Sequence, residues 1–133
     1  MKLRVNDDCG STILEFAIIG LLVLTIMFGV IESARLMLAY SSLAEATRLG
    51  ARYAIVHGAS GPADNPADVV AVITKLTSDA GLRGAQPPVV HYPNGNSNVG
   101  SPVEITATYT FTPASFIPLN LTVSSKTRAM ICY

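Results

Sequence analysis

Charge is scarce in this 133-residue chain and it is balanced, with nine basic residues against nine acidic ones, 14% of the sequence together. Without a basic excess, nothing in the composition points to nucleic acid or to an electrostatic patch for a membrane surface. Cysteine is nearly absent, at Cys9 and Cys132, and so is histidine, at His57 and His91. No second cysteine or close histidine shares the neighbourhood of Cys132, so the ligand spacing of a metal site is missing. No nucleophile or paired acid is tied to either histidine by a motif, and both read as structural or surface residues. Phosphate-cradling glycine motifs are absent. The stretch PNGNSN at residues 93–98 offers amide oxygens without the carboxylates and terminal glutamate of a calcium loop, and turn chemistry accounts for it. The chain is therefore expected to be non-enzymatic, with no metal and no cofactor.

What the chain has in quantity is apolar surface, since hydrophobic residues make up 50% of it. The segment CGSTILEFAIIGLLVLTIMFGV, residues 9–30, holds one charge, Glu15. A charged side chain at membrane depth costs about 2.5–3.5 kcal/mol on insertion scales, so it is kept where a partner or a task awaits it. Residues 13–31 would span roughly 28 Å as a helix at about 1.5 Å per residue, close to the hydrocarbon thickness of a bilayer. A buried core helix is disfavoured, because nothing else in the chain looks able to surround so uniformly apolar a rod. A cleaved secretory signal would need small residues just past a shorter apolar core, and Ser42 and Ala44 lie too far downstream, beyond Glu32 and Arg35. A lipoprotein reading of Cys9 fails because the apolar stretch follows the cysteine. A retained single-pass anchor is favoured.

Gly10 and Ser11, with Glu15 at the fifth place after the glycine and Phe16 beside it, resemble the processing site of type IV prepilin-like proteins, which a membrane peptidase cuts after the glycine. Further on, Glu15-Phe16-Ala17, Phe28-Gly29 and Ala46-Thr47-Arg48 running into Gly50-Ala51-Arg52-Tyr53-Ala54 are similar to the TadE-like family of pseudopilins from tight-adherence (Flp) pilus systems. The likeness is strong over about the first 50 residues and loose beyond them. Members often carry a proline near the position of Gly20; this chain has none there. The resemblance implies a prepilin peptidase and other pilin or pseudopilin subunits as partners, and an inner-membrane location with the C-terminal part periplasmic or extracellular. It also makes Arg48 and Arg52 candidates for contact with a partner subunit, against the plainer reading of a solvated face.

Cleavage after Gly10 would leave Ser11 with a free amine one helical turn from Glu15. The carboxylate could pair with that amine, or with the amine of a neighbouring subunit, which reduces the cost of a buried charge and sets register between subunits. The alternative is that Glu15 snorkels to the interface. Cys9 would leave with the leader, so only Cys132 would remain, read as a buried structural thiol or one that pairs between chains.

The expected organisation is a leader at 1–10, a transmembrane and assembly helix at 11–31, a periplasmic continuation at 32–57 and a small α+β head at 58–133. In the continuation, Leu36, Tyr40, Leu43, Thr47, Gly50, Ala51 and Ala54 form one face, and Glu32 with Arg35 and Glu45 with Arg48 form i,i+3 pairs. Gly58 suits a left-handed helix cap. Asn65 is placed to cap a second helix that starts at Pro66, lined by Val69, Val72, Ile73, Leu76 and Ala80 and stopped at Gly81. Strict alternation follows, with strands expected at 89–92, 103–112 and 121–132. In the second, Val103, Ile105, Ala107, Tyr109 and Phe111 share the core side; in the third, Leu121, Val123, Ser125, Thr127, Ala129 and Ile131 do. The fold class is thus α+β, an antiparallel three-stranded sheet covering the second helix and the outer part of the first. Two functions from different classes remain open, a minor pilin or a membrane-tethered periplasmic binding or adhesive module.

Overall fold

The structure, a computed structural model, describes residues 8–57, 66–114 and 120–132. Gly58, Asn65 and the leader up to Asp7 lie outside the described residues. The chain divides into two units, Met1–Arg35 and Leu36–Tyr133. One helix, α1, runs Asp8–His57 and contributes to both.

Among the described residues of the first unit, α1 buries no side chain. The large side chains from Ile13 to Ile31 are all exposed. Helix α1 is long and apolar enough to cross a membrane. Its hydroxyls turn back on the helix itself: Thr25 donates to the Leu21 carbonyl at 2.8 Å and Ser33 to the Gly29 carbonyl at 2.8 Å. Self-bonded hydroxyls of this kind carry little desolvation cost in an apolar surrounding. Glu32 and Arg35 form the expected i,i+3 ion pair at 3.0 Å.

The second unit has an ordinary core. Its part of α1 buries Ala39, Leu43, Ala46, Thr47, Gly50, Ala51 and Ala54 at helical spacing. Helix α2, Pro66–Asp79, buries Val69, Ile73 and Thr77, four residues apart. It closes in a Schellman arrangement, in which Leu82 N–H donates to the Thr77 carbonyl and Gly81 N–H to the Ser78 carbonyl, both at 3.0 Å. Gly81 sits at φ 77°, the left-handed backbone this cap needs.

Strands β1 (Val89–His91), β2 (Pro102–Phe111) and β3 (Leu121–Met130) form an antiparallel sheet in the order β1-β2-β3. Pro102 opens the central strand, where its missing N–H costs no interior ladder bond. Val103, Ile105, Ala107 and Phe111 point into the core. One cluster joins Ala46, Ala51 and Ala54 of α1 with Val69 and Ile73 of α2 and Val103, Ile105 and Ile131 of the sheet side. A second joins Ala39 and Leu43 with Leu82, Ala107 and Phe111.

Some details differ from the sequence pattern. Leu121, expected on the core side, is exposed at the end of the ladder where it pairs with Phe111. Tyr40 is 53% exposed, because at that level Leu82, Ala107 and Phe111 pack on the side of α1 bearing Ala39 and Leu43. Ala80 is exposed and Thr77 takes the buried place, since α2 has ended by Asp79. Cys132 is an exposed free thiol and not a buried one: Ile131, its neighbour, takes the inward position and alternation turns Cys132 out.

Candidate functional site

Two sets of residues stand out on α1, one in each unit. In the first unit Gly10, Ser11, Glu15 and Phe16 all lie in the opening turns of the helix, and all are exposed. The helix has begun by Asp8, so the Gly10–Ser11 peptide is within it. Ser11 and Glu15 are one turn apart on the same side of the helix. Phe16 is 78% exposed, the most exposed of the large apolar side chains.

In the second unit Arg48 and Arg52 are one turn apart on α1, both exposed. They border a shallow groove of about 340 Å³, together with Glu45, Leu49 and Ile55 of α1 and Thr127 and Ala129 of β3. Neither arginine forms an ion pair among the described residues, and Glu45 and Arg48 do not make the expected i,i+3 bridge. Glu15 belongs to the first unit and the arginines to the second.

Beneath the groove the helix is tied to β3 by hydroxyls. Thr47, fully buried, bonds Ser125 Oγ at 3.0 Å, accepts from Thr127 Oγ1 at 3.1 Å and donates to the Ala44 carbonyl at 2.9 Å. Sequence alternation placed Ser125 and Thr127 on the core side but gave no reason for polar residues there. The reason is Thr47.

The sheet's outer face carries a charge cluster that strand patterning alone did not single out. Glu104 accepts from Lys126 at 2.8 Å and lies 3.7 Å from Arg128 Nε. The Lys126 hydrogen bond, with the nearby charges of Lys126, Arg128 and His91, holds the Glu104 carboxyl below its ordinary value of 4.5, against the opposing effect of desolvation. The signal was present as opposite charges at outward positions of two adjacent strands. Register was needed to use it, and pairing sets Glu104 opposite Arg128 and His91.

Catalytic or metal chemistry has no constellation among the described residues, where no group of three or more His, Cys, Asp or Glu is placed to hold a metal. His57 Nδ1 donates to the Tyr53 carbonyl at 3.0 Å and the ring stacks on that of Tyr53 with centroids 4.3 Å apart, a helix-end packing role. In the 93–98 loop, Gly95 N–H closes a turn on the Tyr92 carbonyl at 3.0 Å, and Ser101 Oγ donates to Asn96 Oδ1. That amide oxygen is engaged in holding the turn.

Residues 10–52 match the family described as TadE-like protein. The matched stretch takes in Gly10, Ser11, Glu15 and Phe16 at its start and Arg48 and Arg52 at its end. No curated protein and no solved structure matches the chain.

Proposed function

We propose that this chain is a minor pilin or pseudopilin of a tight-adherence (Flp) pilus, processed by a prepilin peptidase after Gly10 and joined to partner subunits through α1. The TadE-like match points to a protein associated with a Tad pilus, and the single apolar helix fits a single-pass membrane protein. The observation that carries the finer reading is the isolation of Glu15. It is the only charge between Asp8 and Glu32, on a helix segment whose apolar side chains are all exposed.

Such a segment needs lipid or other helices around it. Before processing, the bilayer supplies that surrounding and α1 holds the precursor in the inner membrane. Cleavage creates the Ser11 amine, and pairing of Glu15 with that amine or with a neighbour's gives the helix a preferred register against another subunit. Arg48 and Arg52 offer a second contact in the part of the chain that faces the periplasm. The 98 residues of the second unit set the chain apart from a subunit that is little more than a helix.

The deciding experiment is the intact mass and N-terminal sequence of membrane-extracted protein from cells with and without the cognate peptidase. A chain that starts at Ser11 only when the peptidase is present is the expected result. If residues 1–10 persist in both, Glu15 loses its processing context and a simple tether for a periplasmic binding or adhesive module becomes the better account. Exchange of residues 11–31 for an unrelated anchor separates the two again, since a tether tolerates it and an assembling pilin does not.

A further inference from the structure

Strand β3 is bonded to β2 along one side, and among the described residues no strand pairs with its other side. The phase of the ladder fixes which groups are left over. Ile131 N–H donates to the Ser101 carbonyl at 3.0 Å, toward β2. Antiparallel pairing alternates, so the odd-numbered residues of β3 bond to β2, and Thr122, Ser124, Lys126, Arg128 and Met130 direct their N–H and C=O groups to the open edge. Cys132 has the same parity, and its N–H points away from β2 to the Ile55 carbonyl of α1 at 3.4 Å. The helix thus closes the edge just past its end, and among the described residues the strand itself is left open.

Cations flank this edge on both faces. On the inner side are Arg48 and Arg52, exposed and outside any ion pair among the described residues, above a groove floor of Leu49, Ile55, Thr127 and Ala129. On the outer side are Lys126 and Arg128, which share the single carboxylate of Glu104. Among the described residues Glu45 is the one other acid at the groove. Four cations against two acids leave the described edge net positive.

We propose that β3 is a docking edge for an extended acidic segment of a partner protein, which adds as a fourth strand with acidic side chains toward Arg48 and Arg52 on one face and toward Lys126 and Arg128 on the other. Main-chain bonds to the five open residues supply affinity, and the alternate side chains supply choice of partner. The same charges disfavour a second copy as occupant. Pairing about a two-fold axis at Lys126 sets that residue against itself, and an axis at Thr127 sets Lys126 against Arg128. Lysine and arginine on an edge keep like strands apart, which leaves the edge open to a strand of opposite charge.

The test uses the full chain in detergent micelles, with a capped synthetic peptide repeating Glu-Glu-Val-Val, whose glutamates fall on both faces of an extended strand, as probe and its lysine-for-glutamate counterpart as control. Site-resolved amide exchange is the readout. The acidic peptide is expected to slow exchange at Ser124, Lys126 and Arg128 at least tenfold while the lysine peptide does not. Arg48→Glu combined with Arg52→Glu, both on exposed positions, should weaken binding at least tenfold. Ser124→Pro removes an edge N–H and no bond to β2, so it should abolish protection of the strand centre with the unfolding midpoint retained. Absence of protection with the acidic peptide overturns the proposal, as does equal protection by both peptides or binding that survives the arginine reversals. Protection that grows with protein concentration in the absence of peptide assigns the edge to a second copy and overturns it too.

Discussion

A Cβ added to Gly50 of α1 would fall 2.5 Å from Cδ1 of Ile73 on α2. Ile73 is fully buried and has nowhere to retreat, so the two helices reach their contact only because residue 50 has no side chain. Gly50→Ala gains up to about 1 kcal/mol in helix propensity, yet overpacking costs about 1–3 kcal/mol. A net loss in unfolding free energy is expected by denaturant titration. In an Ile73→Ala background the same change should cost at least about 1 kcal/mol less, since the residues touch and their effects couple. An unchanged cost in both backgrounds would locate the strain elsewhere.

Thr47 holds the helix to β3 through hydroxyls, and Thr47→Val keeps its shape while removing its oxygen. Ser125 and Thr127 would each lose a partner in a half-buried place, which costs about 1–2 kcal/mol. The triple change Thr47→Val, Ser125→Ala, Thr127→Val leaves no orphaned group and should recover part of that loss. Comparison of the single and triple variants by chemical denaturation checks both statements.

Glu15→Ala removes the lone carboxylate of the apolar segment. Insertion should not suffer, because a cost of about 2.5–3.5 kcal/mol at membrane depth is removed with the charge. Piliation should fall at least tenfold when filaments are counted on cells, while the membrane-fraction level of the protein holds. Normal piliation would end the proposed role of Glu15 in register.

The Glu104 cluster predicts a pH dependence with a definite sign. Its carboxyl is held low in the folded chain by the Lys126 hydrogen bond first and by neighbouring charge next. The stabilisation is therefore fully present above the ordinary carboxylate value and is lost as pH falls through the lowered folded value. Thermal unfolding midpoints of the native chain and Glu104→Gln should differ slightly near pH 7 and converge at acid pH. Added salt should shrink the difference at neutral pH, because the groups are at the surface. A difference that widens toward acid would reverse the assignment.

Much of the fold was legible because it rests on periodicity. Alternation in 103–111 and 121–131 gave the inward phase of β2 and β3, although Leu121 at the start of β3 is exposed, and both strands lie within a residue or two of the expected limits. Pro66 marked the start of α2 and Gly81 its stop. Leu82 was missed as a core residue because it lies past the helix, where no period applies; the Schellman cap turns it inward. Tyr40 was placed on the wrong side because spacing gives the width of a face and not the position of what covers it.

By itself the sequence determined the apolar helix, its single carboxylate, the α+β class and the candidate residues from Gly10 to Arg52, since each depends on residue type and spacing along one chain. Tertiary structure alone decided that Thr47 meets Ser125 and Thr127, that Glu104 is shared by Lys126 and Arg128, and that β3 is the outermost described strand on the side of two arginines. Those depend on strand register and on which strand lies outermost, and both are set by packing between residues far apart in the chain.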